Sequence, residues 1–144
     1  METATMGRVI TEATIENSGD LWAVRNGLKK PEEVRRAEVR DALVDTGATT
    51  LALPARLIRQ LGLAKVGEKR SRLSRGTGLT SIYEVVRVTI QGREASVDVM
   101  EVPDDVPVLI GQIPLEMMDL VVDPRSRKLI GNPAHNGEQT LELY

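Results

Sequence analysis

Asp45, Thr46 and Gly47 follow the apolar run Ala42-Leu43-Val44, and the small residues Ala48 and Thr49 come directly after them. A short strand that ends on an acid, a hydroxyl and a glycine presents a carboxylate on a tight turn. Gly47 has no Cβ, so the backbone can turn sharply and a second chain can come close. The Thr46 hydroxyl can donate a hydrogen bond that fixes the loop. Asp45 then stands at the loop tip with nothing bulky in front of it, where a carboxylate can take a proton from an attacking water. Taken alone, the tripeptide also suits an ordinary turn between strands.

Other elements must position this loop. Far downstream, Val106-Pro107-Val108-Leu109-Ile110-Gly111 is an apolar strand that stops at a glycine. Gln112-Ile113-Pro114-Leu115-Glu116-Met117-Met118 follows as a short helical segment with Pro114 near its start. In this order and separation the two elements resemble the retropepsin-like aspartic proteases, the family of the retroviral proteases and their single-domain bacterial relatives. Val44 to Ala48 match the catalytic loop of that family. Leu109, Ile110 and Gly111 match the element that closes the fold behind it. The likeness runs from about residue 39 to about residue 131.

The resemblance implies an all-β fold: a small closed acid-protease barrel of one lobe, with one or two short helices, forming a two-fold symmetric homodimer. It implies catalytic roles for Asp45, Thr46 and Gly47, with Thr46 gripping the loop of the partner subunit. Substrate contacts fall on Ala48, Thr49 and Ile110, and on a glycine-rich flap at Gly76, Thr77 and Gly78. Leu51 and Val106 are further candidates for apolar subsites, and core packing explains these two and Ile110 equally well. No cofactor and no metal are implied. Two positions depart from the retroviral pattern. Gln112 stands where those enzymes carry an arginine, and Thr49 where they carry an acid. Both charges are lost together, so neither is left unpaired, which points to a different brace for the loop.

The chemistry makes a demand that one chain cannot meet. In an aspartic dyad two carboxyl groups share a proton; one activates the water and the other donates to the carbonyl oxygen. Like charges about 3 Å apart cannot both ionise, which keeps that proton in place. Asp41, Asp98, Asp104, Asp105, Asp119 and Asp123 all lack the Thr-Gly or Ser-Gly that follows Asp45. The economical arrangement is a homodimer that brings Asp45 of each subunit to the axis. The function expected is an aspartic endopeptidase acting on extended peptides. The alternative is a catalytically silent module of the same fold that dimerises or binds peptides.

Composition excludes several other classes. The 144 residues include no cysteine and one histidine, His135. Thiol catalysis, a cysteine zinc site and a Ser-His-Asp triad therefore have no support. A formal charge of −2 gives no reason to expect nucleic acid or an anionic membrane as partner. No secretory leader is expected, because Arg8, Glu12 and Glu16 interrupt the first apolar stretch, and the location expected is cytoplasmic. There is no Phe, one Trp and two Tyr, so the core must be built of Val, Ile and Leu, which suit strands.

Read along its length, the chain is one domain over 1–144. Residues 1–33 form an N-terminal hairpin extension, with strands at 7–16 and 21–24 around a turn at Asn17-Ser18-Gly19-Asp20. Residues 34–44 lead into the Asp45 loop. Residues 54–61 read as a helix begun by Pro54 and ended at Gly62. Two long β segments follow. The first, 68–74, is basic through Lys69, Arg70, Arg72 and, beyond it, Arg75. A flexible tip at 76–78 returns as a strand over 79–90, and Gln91-Gly92-Arg93 turns into 94–100. Asp104-Asp105 reads as an exposed loop, and 119–124 and 128–131 as the strands of a terminal hairpin. Residues 132–144 read as a tail, a subunit clamp or a segment lying in the cleft, with His135 solvated.

Overall fold

The computed structural model describes residues 8–73 and 76–143. Gly7, the expected start of the first strand, and Arg75, at the end of the basic run, lie outside the described residues. The chain is mostly β. A seven-stranded sheet runs in the order β1 (Ile10–Asn17), β2 (Arg36–Val44), β7 (Leu109–Ile110), β3 (Leu51–Pro54), β6 (Arg93–Val102), β5 (Gly76–Ile90) and β4 (Lys65–Leu73). β1 pairs with β5 as well as with β2. Glu16 reinforces both junctions, with Oε2 on Arg36 Nη2 at 3.0 Å and Oε1 on Arg87 Nη2 at 2.8 Å. Together these groups hold a buried carboxylate among guanidinium donors.

Strand alternation builds the core. Along β6, Ala95, Val97 and Val99 are buried while Glu94, Ser96 and Asp98 face water. Ile15, Leu51, Leu53, Val86, Val88 and Ile110 come in from the other strands and are fully buried. The Gln91-Gly92 turn forms where expected, with φ of 52° and 77° at its two centres, the pattern that joins twisted strands tightly. β8 (Leu120–Asp123) and β9 (Lys128–Gly131) make the expected terminal hairpin as a separate two-stranded sheet.

Three α-helices occur among the described residues, where one or two are expected: α1 (Ser18–Arg25), α2 (Ala55–Gln60) and α3 (Gln112–Met118). The unexpected one is α1, which replaces the second strand of the N-terminal hairpin. Asn17 caps it, its side chain accepting from Asp20 N at 3.0 Å. Asp20 is then buried against Arg35 and Lys29, and Ala23 packs inward. Trp22, expected on one strand face with Val24, is 53% exposed on the helix. The alternation of Trp22 and Val24 was too short a signal to outweigh a cap and a buried ion pair.

Two further expectations change. The register of β4 with β5 closes to Leu73↔Gly76, so Gly76, Thr77 and Gly78 belong to the returning strand and not to the hairpin tip. The tail is also tied down. A 3-10 turn at Pro133–His135 follows β9, and His135 pairs with Asp119 instead of standing in water.

Candidate active site

The approach to Asp45 is set by a bulge. Thr11 pairs with Ala42 but Ala13 pairs with Val39, so β2 carries one more residue than β1 between these points. The bulge re-phases the strand. Val39 faces the core before it, and Ala42 and Val44 face the core after it. Without it, Asp45 would share the face of Val39. With it, Val44 points inward and Asp45 emerges on the other side, half-exposed.

Backbone groups hold the loop on both flanks. Asp45 N donates to Ile110 O at 2.9 Å, and Ala48 N donates back to Asp45 O at 3.0 Å. Gly47 N donates to Asp45 Oδ1 at 3.0 Å, which orients the carboxylate. A Cβ at Gly47 would sit 3.2 Å from that same oxygen, a tight fit. From behind, the start of α3 closes the arrangement. Gln112 N donates to Ala48 O at 2.8 Å and Ile113 N to Thr49 O at 2.9 Å. Thr50 Oγ1 donates to Asp98 O at 3.2 Å and ties the loop to β6. Gly111 lets the helix come so near, because a Cβ there would lie 2.6 Å from Ala48 O. The brace that replaces the arginine–acid pair is thus made of main-chain N–H groups.

Asp45, Thr46, Gly47, Ala48 and Thr49 form one continuous loop, with Thr46, Gly47 and Thr49 exposed and Ala48 half-buried. Ile110 is a correction. It is fully buried between Val44 and Leu51, and it supports the loop from beneath instead of offering surface to a peptide. Leu51 is buried likewise, and Val106 is half-buried. Gly76, Thr77 and Gly78 lie on the β4–β5 hairpin, which runs on past the last β5–β6 pair, Ile82↔Met100. A depression on this hairpin is lined by Arg70, Thr77, Gly78 and Leu79. Asp104 is exposed and caps α2, accepting from Arg56 N at 2.9 Å. Among the described residues, no group of three or more His, Asp or Glu side chains is arranged to hold a metal ion.

The residues that sequence reasoning missed are Gln112 and Ile113 as loop donors. They act through backbone N–H groups, which every residue but proline carries, so side-chain type holds no signal for them.

Residues 34–117 match the family described as gag-polyprotein putative aspartyl protease. The chain belongs to this family. No curated protein matches it. The part matched by the aspartyl protease family begins ahead of β2 and ends inside α3, so it takes in the Asp45 loop, the β4–β5 hairpin and the brace behind the loop. β1 and α1 precede it, and β8, β9 and the segment after them follow it. No helix among the described residues is long and apolar enough to cross a membrane.

Proposed function

We propose that the chain is an aspartic endopeptidase whose active form is a two-fold symmetric homodimer, with Asp45 of each subunit forming the catalytic dyad. The observation that carries this reading is the Asp45 loop: a half-exposed carboxylate oriented by Gly47 N and clamped from behind by α3. The family match supports the same assignment. The pairing of β1 with β5 supports reading the sheet as the closed barrel of one lobe, and 1–144 as a single domain. In this reading one Asp45 removes a proton from the attacking water while the other, protonated, donates to the scissile carbonyl oxygen. Thr46, exposed beside it, grips the loop of the partner subunit. An extended peptide lies across the loop as an added strand, covered by the β4–β5 hairpin and touching Ala48, Thr49, Gly76, Thr77 and Gly78.

The test is cleavage of a diverse peptide mixture by purified protein from acid to neutral pH, read by mass spectrometry. Wild type is expected to cleave, and Asp45→Asn to lose roughly 10³-fold or more while folding and dimerising as before. Cleavage that survives Asp45→Asn would overturn the mechanism. Silence from a folded wild-type dimer across the mixture would favour the catalytically silent module.

A further inference from the structure

Asp119 ends α3 in a left-handed conformation, φ 55°, and is only 7% exposed. A carboxylate at a helix carboxyl terminus faces the negative end of the helix dipole, so the position needs compensation. The segment after β9 supplies it. His135 Nδ1 meets Asp119 Oδ2 at 2.7 Å, Thr140 N donates to the same oxygen at 3.0 Å, and Asn132 Nδ2 reaches Oδ1 at 3.2 Å. Arg93, from β6, completes the arrangement. Its Nη1 donates to Met118 O at 3.0 Å and Asp119 O at 2.9 Å, and its Nη2 donates to Gly137 O. Gln139 Nε2 adds a bond to Met117 O at 3.2 Å.

These contacts gather at one end of α3, and the brace on the Asp45 loop lies at the other. The helix is seven residues long, or about 10 Å, too short to bend between its ends. We propose that residues 132–140 form a latch in which His135, held on Asp119, fixes the carboxyl end of α3 and through α3 positions the Asp45 loop. The catalytic part of this inference rests on the proteolytic reading; the latch itself does not. His135 is a positioning residue here, acting through Asp119 and α3.

The latch depends on pH. Asp119 faces His135 Nδ1, Glu142 Oε1 lies 3.5 Å from its Nε2, and Arg93 faces the site from β6 through the Asp119 carbonyl. The hydrogen bond to Asp119 holds the imidazole above its ordinary value, and burial opposes it less strongly. At Asp119, burial works to raise the carboxyl, but the bonds from His135, Asn132 and Thr140 N outweigh it and lower it. A raised histidine stabilises the folded latch fully below the ordinary imidazole value of about 6.5, and that stabilisation is lost as pH rises through the raised value.

The chain has one histidine, so its imidazole NMR signals need no assignment by mutation. The experiment follows those signals, with the amides of Gly47, Gln112 and Ile113, through a pH titration of wild type, Asp119→Asn and His135→Gln. In wild type the imidazole midpoint is expected above the ordinary value of about 6.5, returning to it in Asp119→Asn. The three amides should move with the wild-type midpoint and cease to do so in His135→Gln. A wild-type midpoint at or below the ordinary value overturns the latch. A raised midpoint with the three amides unmoved overturns its connection to the loop. If Asp119→Asn does not fold, His135→Gln leaves the left-handed residue in place and carries the test. None of these readouts involves cleavage, so a wild type that cleaves nothing while its amides follow His135 sinks the proteolytic reading alone. Where cleavage is found, His135→Gln should lower kcat about fivefold at pH 6, with KM unchanged and no difference at pH 9. Equal kcat at pH 6 would remove the positioning role.

Discussion

Gly111 is where the Asp45 loop and α3 come closest, since a Cβ there would press on Ala48 O at 2.6 Å and on Thr50 O. Its φ is −90°, which alanine adopts readily, so the requirement at this position is steric and not conformational. Gly111→Ala should therefore force the helix and the loop apart. The expected cost is about 1–3 kcal/mol in a denaturant titration. Cleavage should fall roughly 100-fold from the displaced loop. Gly67→Ala is the control, because nothing stands within 4 Å of a Cβ there, and it should change neither quantity. At this scale the acid, the hydroxyl and the two glycines were legible in residue type. Ile110 was not, because an apolar residue beside a loop reads the same whether it lines a cleft or supports it from the core. Nor was His135, whose partner Asp119 is distant in sequence and meets it only once β8 and β9 have folded back.

Among the elements, α1 shows how a polar group outweighs a weak pattern. Asp20 accepts from Arg35 through its backbone N and its guanidinium, each at 2.9 Å, and from Lys29 Nζ at 2.6 Å. Chiefly through the Arg35 bond, against burial, its carboxyl is held well below the usual carboxylate range. A depressed acid stabilises the fold above its unfolded value and loses that contribution as pH falls. Asp20→Asn should therefore cost about 2 kcal/mol at neutral pH, less than for a fully buried pair because Arg35 still reaches water. The gap between variant and wild type should narrow below about pH 4, as measured by urea midpoints across the acid range. A gap that is constant with pH would assign the cost to packing instead. The strands around this helix were legible because their alternation extends over many residues, as in β5 and β6. The residues of α1 offer a weak amphipathic pattern, and the ion pair that fixes the helix joins it to Arg35, just ahead of β2.

For the molecule as a whole, one Asp45 loop supplies one carboxylate, and proteolysis by a dyad requires a second copy. Specific activity should therefore fall on dilution, with a midpoint equal to the dimer dissociation constant measured independently by sedimentation. Activity per subunit that stays constant well below that constant would rule out a shared dyad. Mixing Asp45→Asn subunits with wild type offers a second check, since heterodimers should lose activity beyond simple dilution.

Residue chemistry and order along the chain were enough to identify the family and to single out Asp45, its glycines and the strand behind it as the candidate site. These signals are local, carried by side-chain type and by short apolar runs. The side of the sheet on which Asp45 emerges was decided by the bulge in β2, which exists only as a mismatch in pairing between β1 and β2. The clamp on the loop, the burial of Ile110 and the seat of His135 on Asp119 were likewise decided by tertiary structure. The clamp and the burial join segments far apart in the chain through backbone groups and packing, which leave no mark on residue type, and His135 meets the Asp119 side chain only once the chain has folded.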